Sequence, residues 1–480
     1  MKFIIKLFPE IVIKSRPVRK RLIKQLRTNV RRVVKAVDEN AAIKGDWDRL
    51  ELRVSEEHAE KVRDILKHIP GIDFSLAVKE YEFESQEEIE SLVVEHFVEQ
   101  VAGKTFCVRV KRTGKHDFTS VELERRLGGA MFREGAPKNV QLKDPECEIK
   151  LEIIANRLFL VQEKIMGLGG YPLGFQEAAL SLLSGGYDSG VATYLMNKRG
   201  VRTHYCFFNL GGDAHEVGVK QVAHFLWSKY SSSHGARFVS VPFEPVVEEI
   251  LTKVGRAYMG VVLKRMMFRA ASTIAATHKI PAIVTGEAIA QVASQTMVNL
   301  SVVDEVTNSL VLRPLITMDK QEIIALSRAI GTEPYAKNMP EYCGVISDKP
   351  STAAKLASVE HEEARFDFSV LDRAIEAAVM TPIDEVLDTK QTILDLETTS
   401  TPQIDDVIID IRQPHELESK PLVLTNNQVI ALPFYQLARK FPELDQNQTY
   451  LLYCGQGVMS QMQAQRLQEL GYQNIKVYQP

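Results

Sequence analysis

Cysteine is scarce and scattered in this chain. Its five copies, Cys107, Cys147, Cys206, Cys343 and Cys454, stand far apart in 480 residues, and no C-x-x-C pair occurs. That pattern excludes a disulfide scaffold and argues against structural zinc, leaving single cysteines as candidate nucleophiles. Long apolar runs are missing too, so no segment is expected to cross a bilayer. The opening Met1-Lys2-Phe3-Ile4-Ile5-Lys6-Leu7 is too short, and too interrupted by Lys, for a signal peptide. A cytoplasmic protein with no membrane partner is the expectation. Charge of one sign is not in excess. The net is −3, so the whole chain does not advertise nucleic acid, and local charge has to be read instead. What is present is a 45% apolar fraction, ordinary for a globular protein, and a length that fits roughly three or four domains.

One stretch organises the rest: Ser184-Gly185-Gly186-Tyr187-Asp188-Ser189. The apolar Ala179-Leu180-Ser181-Leu182-Leu183 before it reads as a buried strand, and Gly190 to Met196 after it as a helix. Strand, glycine turn and helix make a phosphate cradle. The glycines admit the backbone close to an anion, the serines add hydroxyls, and the helix start adds N–H groups and a positive dipole end. No Lys follows the glycines, so this is not a Walker A loop. The stretch resembles the PP-loop, SGGxDS, of the ATP pyrophosphatases, which cut ATP between the α- and β-phosphates and leave an adenylate.

The N-terminal segment reads β-α-β-α. Lys2 to Val12 alternates as a strand. Val18 to Val37 has a helical pattern, with Leu22, Ile23, Leu26, Val30, Val33 and Val34 on one side and Arg19, Lys20, Arg21, Lys24, Arg27, Arg31, Arg32 and Lys35 on the other. No acidic residue interrupts Lys14 to Lys35, which makes that face a candidate phosphate-backbone contact. Farther on, Thr105 to Arg112 is a strand, Cys147 to Ile154 alternates as another, and Arg157 to Ile165 pairs with it as a hairpin. Lys111, Arg112, Lys115 and His116 cluster beyond the first of these. The glycine-rich Gly167 to Gly174 reads as a hinge. This strand, hairpin and exit look like a THUMP domain, which occurs in tRNA-modifying enzymes and helps hold the tRNA acceptor end.

From about 175 to 385, strands alternate with helices. That implies a parallel sheet with its site at the carboxyl ends of the strands, along a rim of Ser184, Asn209, Pro242 and Gly286. Lys264-Arg265-Met266-Met267-Phe268-Arg269 mixes cations into an apolar helix and is a candidate phosphate or adenylate contact. Thr285-Gly286-Glu287, with Gln291 and Gln295 one helical turn apart, would suit adenine or ribose. Glu341-Tyr342-Cys343-Gly344 reads as a loop. Thr381 to Pro402 reads as a linker. A small domain then begins, with a strand ending Asp410-Ile411-Arg412. Another strand, Thr449 to Tyr453, delivers Cys454-Gly455-Gln456-Gly457-Val458-Met459-Ser460. A cysteine heading a glycine loop between strand and helix faces backbone N–H groups that stabilise a thiolate or persulfide anion. The domain resembles rhodanese. Common rhodanese loops carry an Arg where this one has Gln456.

Taken together, the four segments are similar to the ThiI family of tRNA 4-thiouridine synthetases (tRNA sulfurtransferases), in the long form with a rhodanese tail. The resemblance implies a multidomain α/β fold: an N-terminal ferredoxin-like domain over 1–60, a THUMP domain over 61–165, a PP-loop ATP pyrophosphatase domain over 175–385 and a rhodanese domain over 402–480. It implies ATP contacts at Leu182, Leu183, Lys264, Gly286 and Gln295, beside Ser184, Gly185, Gly186 and Ser189 of the loop, with Asp188 catalytic. It makes Cys454 the persulfide carrier and Cys343 its disulfide partner. ATP and Mg²⁺ are the expected cofactors, with no metal held by protein side chains alone. The implied partners are tRNA, a cysteine desulfurase, a reductant for the disulfide and the sulfur-carrier protein of thiamine thiazole synthesis. The implied reaction is ATP-dependent sulfur transfer to the uridine at position 8 of tRNA, giving 4-thiouridine. The residues alone also admit an amide-forming PP-loop adenylating ligase, in which Cys343 and Cys454 have no role, or a non-catalytic tRNA-binding protein, against which the intact SGGYDS speaks.

Overall fold

The computed structural model describes residues 1–45, 49–210, 213–337, 339, 349–388, 397–412, 416–417, 420–455 and 458–480. The chain forms two compact units, one of residues 1–175 with 198–200, the other of residues 176–197 with 201–480.

The first unit is built on one eight-stranded sheet. Its strands are β1 (Lys2–Leu7), β2 (Ala42–Lys44), β3 (Arg49–Arg53), β4 (Ile72–Glu82), β5 (Thr105–Thr113), β6 (Asn139–Val140), β7 (Cys147–Ile154) and β8 (Arg157–Met166), in the order β2-β3-β1-β4-β8-β7-β5-β6. The helix Arg16–Lys35 buries Leu22, Ile23, Leu26, Val30 and Val34, as its 3.6-residue spacing requires, and starts with Pro at its first turn. That core also takes in Val62 and Leu66 of the helix Ala59–His68, and Ile72 of β4. A second core lies under the helices Gln86–Val101 and Ser120–Glu134, the latter closed by a capping box between Thr119 and Glu122. The two halves are not separate sheets. β4 pairs antiparallel with β8 from Phe74↔Met166 to Glu82↔Arg157 and welds them. The glycine-rich stretch after β8 is not a loose hinge either. Gly167 N–H donates to Asp73 O (2.8 Å), Gly169 N–H to Ile72 O (2.7 Å) and Gly71 N–H to Gly169 O (2.7 Å). Backbone bonds to the start of β4 therefore hold it in place.

The second unit carries two sheets. The larger contains β9 (Ala179–Leu182), β10 (Thr203–Asn209), β11 (Arg237–Pro242), β12 (Ala282–Val284), β13 (Leu310–Leu312) and β14 (Val379–Pro382), ordered β13-β12-β9-β10-β11-β14. The first five run parallel and β14 runs antiparallel on the β11 edge. Helices cover the sheet, and its apolar strands are buried, as a parallel sheet demands. The smaller sheet holds β15 (Thr398–Thr399), β16 (Val407–Asp410), β17 (Val429–Ala431), β18 (Tyr450–Tyr453) and β19 (Ile475–Tyr478), all parallel, ordered β15-β19-β18-β16-β17.

Both ends of the expected linker are ordered parts of these sheets. Thr381 and Pro382 pair with Phe238 and Arg237, Ile383 and Val386 are buried, and Thr398 pairs with Val477. Its Thr- and Asp-rich composition hid two edge strands, which need only one apolar face. Residues 389–396 lie outside the described residues. Among the described residues no helix is long and apolar enough to cross a membrane.

Candidate functional site

β9 ends at Leu182, and the helix Tyr187–Lys198 begins five residues on, so the glycine turn lies at the carboxyl edge of the parallel sheet. Gly185 takes φ +83°, a conformation that side chains resist. Ser189 Oγ accepts from Ser184 N–H (3.2 Å) and donates to Gly186 O (3.3 Å), bracing the turn from inside. Leu183 N–H is committed to Cys206 O at 2.9 Å, so its carbonyl is the group it can offer a nucleotide. Ser184 O accepts from His215 Nε2 at 3.2 Å. Burial pushes the His215 imidazole below its ordinary range, so the ring is neutral and donates. A single His between Ala214 and Glu216 gave no sign of this in sequence.

Asp188 is the loop's carboxylate, and two partners fix it through three contacts. Lys320 Nζ lies 2.9 and 3.1 Å from its two oxygens, and Gln291 Nε2 lies 2.8 Å away. Lys320 opens the helix Lys320–Ile330 and was not among the sequence candidates; a single Lys at a helix start carries no motif. Gly286 backs onto the same turn. A Cβ there would lie 2.7 Å from the Asp188 carbonyl carbon and 2.8 Å from Ser189 N. Only a glycine lets this strand end pack so closely beneath the turn.

Lys264 Nζ contacts Glu287 Oε1 at 2.5 Å, and Arg313 Nε reaches Glu287 Oε2 at 2.8 Å. Burial alone would raise the Glu287 carboxyl; Lys264 and Arg313 outweigh it and hold it below the usual range. The other cations of the Lys264–Arg269 cluster do not face the site. Arg265 is buried and makes a fork to Glu363 at 2.6 and 2.9 Å, and Arg269 joins it at 3.1 Å. They tie helix to helix rather than meet a phosphate. Gln291 and Gln295 are not one turn apart on a helix. Gln295 ends a short 3₁₀ turn, Ala293–Gln295, and its Oε1 accepts from Ala288 N–H at 3.3 Å. A cavity of about 580 Å³ opens at the other ends of these strands, lined by Arg202, His204 and Arg237 among others; none of the expected site residues borders it.

On the smaller sheet, Cys454 follows β18 and the helix Val458–Glu469 comes after it. Ser460 N–H points at Cys454 Sγ from 3.3 Å, and Ser460 Oγ lies 3.5 Å away. The preceding Tyr453 ring carries the Arg412 guanidinium 5.0 Å from its centroid, and Arg412 is bound to the buried Asp410 by contacts of 2.9 and 2.6 Å. Cys454 is half-buried. Cys206, by contrast, lies wholly in the core, where burial pushes its thiol up to about 12. Cys343 and its loop, and Gln456, lie outside the described residues.

In the first unit Lys20, Arg21, Lys24, Arg31, Arg32 and Lys35 are exposed on one side of the helix Arg16–Lys35. Lys111 and Lys115 are exposed at the end of β5, where Arg112 meets His116 at 3.2 Å.

These features define a class: a multidomain α/β protein with a PP-loop-type parallel sheet, joined to THUMP and rhodanese-like domains. Residues 174–368 match the family described as thiamine biosynthesis protein (ThiI), 83–162 the THUMP domain, 2–75 the ThiI ferredoxin-like domain and 394–479 the rhodanese-like domain. The chain is 53% identical over 486 residues to the tRNA sulfurtransferase of Shewanella piezotolerans, and 52% identical over 488 residues to that of Shewanella woodyi, each match covering 100% of both chains. A solved 4-thiouridine synthetase in complex with RNA and bound ATP is 26% identical, with a TM-score of 0.71 over 79% of this chain and 99% of that one. The chain belongs to the tRNA sulfurtransferase (ThiI) family.

Proposed function

We propose that this enzyme adenylates the C4 oxygen of uridine 8 in tRNA and replaces it with sulfur carried on Cys454. The observation that carries the reading is the pairing, in one unit, of a braced glycine turn bearing Asp188 with a cysteine whose sulfur faces a backbone N–H.

Oxide is a poor leaving group, so the C4 carbonyl must first be activated. The turn of Ser184, Gly185, Gly186 and Ser189 would cradle the phosphates of ATP, with Leu182 and Leu183 offering backbone, Gly286 giving room and Lys264 leaving Glu287 for a phosphate oxygen. Gln295 would shape the loop beside the base. Among the described residues no cluster of three or more His, Cys, Asp or Glu side chains could hold a metal. Asp188 would help to hold a Mg²⁺ brought in with ATP, which would supply charge neutralisation as pyrophosphate leaves.

Sulfur would be loaded by a cysteine desulfurase as a persulfide on Cys454, its anion facing the Ser460 N–H. Cys343 would then attack the Cys454 sulfur. The terminal sulfur takes the electron pair and leaves as sulfide, the two cysteines are oxidised to a disulfide, and sulfide displaces AMP from C4. A dithiol reductant returns both thiols. The same persulfide would serve the sulfur-carrier protein of thiamine thiazole synthesis. The basic helix and the end of β5 would hold tRNA. The enzyme would meet these partners in the cytoplasm.

The test is mass analysis of tRNA nucleosides from a strain lacking the gene, with the purified enzyme added back with ATP, desulfurase and cysteine. Loss of 4-thiouridine and its return on addition are expected. Unchanged 4-thiouridine in the deletion strain would refute the reading.

A further inference from the structure

The small domain is seated on the large sheet, and the seam is specific. The helix Val458–Glu469 packs on the helix Asp213–Tyr230, and the helix Phe434–Lys440 on the helix Glu244–Lys253. Each core receives one side chain from the other. Met459, in the first turn after the Cys454 loop, packs against the core of the large sheet, while Leu251 packs against the core of the small one. Beside them Arg466 forms an ion pair with Glu244, both side chains partly withdrawn from water at 24% and 19% exposure.

Glu244 has a telling position. It is the first residue of the helix that follows β11, directly behind the carboxyl end of that strand. Phe243 N–H, next to it, donates to Asn209 O at the end of β10 (2.9 Å). Glu244 thus stands on the same edge of the sheet as the glycine turn. Its negative charge is also favoured by the helix N-terminus at which it stands. Arg466 belongs to the helix that Cys454 heads. The ion pair therefore fixes the sulfur-bearing helix to the edge that carries the nucleotide turn.

We propose that Glu244 and Arg466 form a positioning latch. It holds the small domain in the pose from which Cys454 delivers sulfur, and neither residue touches a reactant. The proposal rests on the sulfur-transfer reading above. A tethered domain without a latch meets the site only at the effective concentration its tether allows; the latch raises the occupancy of one pose.

Two sulfur donors separate delivery from chemistry. With cysteine and a desulfurase, sulfur must travel on Cys454. With inorganic sulfide, HS⁻ attacks the activated C4 directly, AMP leaves, and the small domain is bypassed. The full-length protein is compared as wild type, Glu244→Arg, Arg466→Glu and the double reversal, each with tRNA and ATP. Each single reversal should lower desulfurase-driven 4-thiouridine formation about tenfold, as loss of one half-buried pair would. The sulfide-driven rate should stay within about twofold, and labelled-sulfur loading of Cys454 should be unchanged, because a latch acts on neither step. The double reversal should recover most of the desulfurase-driven rate. An unchanged desulfurase-driven rate in the single variants overturns the latch. So does an equal fall with both donors, which would make the pair a support of the large sheet, and so does failure of the double reversal to recover. Wild type that makes no 4-thiouridine with either donor overturns the sulfur-transfer reading, and the latch with it.

Discussion

Lys320 Nζ stands 2.9 Å from one carboxylate oxygen of Asp188 and 3.1 Å from the other, across 132 residues of chain. The contact pins the first turn of the helix Tyr187–Lys198 to the first turn of the helix Lys320–Ile330. It also places an ammonium at the mouth of an anion cradle. Asp188→Ala and Lys320→Met should each lower tRNA-dependent pyrophosphate release about a hundredfold or more, the scale of losing one preorganised charged group. Loading of Cys454 with labelled sulfur should stay intact in both. Unchanged pyrophosphate release would remove the glycine turn as the nucleotide site.

Gly286→Ala puts a methyl group against the Asp188 and Ser189 backbone, where nothing flexible can yield. ATP affinity should fall by about tenfold or more, read by calorimetric titration. Gly128→Ala is the control. Nothing lies within 4 Å of its Cβ, and it sits inside the helix Ser120–Glu134, so it should be neutral or stabilise by up to about 1 kcal/mol in thermal unfolding.

Replacing Lys20, Lys24, Arg31 and Lys35 by Glu leaves the apolar side of their helix untouched. tRNA affinity should drop, and the slope of log affinity against log salt should flatten by about 0.7–0.9 for each phosphate contact removed. Equal affinity and equal slope in filter binding at several salt concentrations would show that side of the helix to be merely solvated.

Cys454→Ala should carry no persulfide and make no 4-thiouridine with a desulfurase as donor, while still releasing pyrophosphate. Cys343→Ala should load sulfur on Cys454 but turn over poorly. Non-reducing peptide mapping after one turnover without reductant should find Cys343 joined to Cys454. A link from Cys454 to Cys206 is not expected, because Cys206 lies in the core. Finding it, or finding no link, would defeat the two-cysteine relay.

Glu80 lies among Lys2 (3.0 Å), Arg53 (2.7 Å) and Arg157 (2.7 Å). Burial alone would raise its carboxyl, but hydrogen bonds from Lys2 and Arg53 outweigh it and hold it down at about 2. A depressed carboxylate stabilises the folded state above its unfolded value near 4.5, and that contribution disappears as pH falls toward 2. Unfolding of the first unit, followed by circular dichroism, should become easier from about pH 4.5 downward. Glu80→Gln should be less stable at neutral pH, with a flatter acid limb. An acid limb as steep as the wild type's would assign the loss to other groups.

Local signals in the sequence were legible. Ser184 to Ser189 lies in consecutive residues, and strand, turn and helix follow one another along the chain, as the structure has them. The apolar side of the helix Arg16–Lys35 could be read because its period is 3.6. What stayed hidden depends on distant residues. Lys320 and His215 reach the turn through folding, and neither carries a motif. Arg265 read as a ligand contact because a cation in an apolar helix needs a reason, and the reason, Glu363, lies 98 residues away. The pairing of β4 with β8 was hidden in the same way, since a strand does not announce its neighbour.

That pairing has a bearing on how the protein is made. β4 emerges from the ribosome early, yet its partner β8 begins 75 residues after β4 ends, at Arg157 against Glu82. Until then one edge of β4 is exposed to any other strand in reach. The N-terminal half is thus at its most vulnerable to aggregation during synthesis, while the message for residues 83–166 is still being read. A pause there would be more harmful than one later, when β8 has closed the sheet.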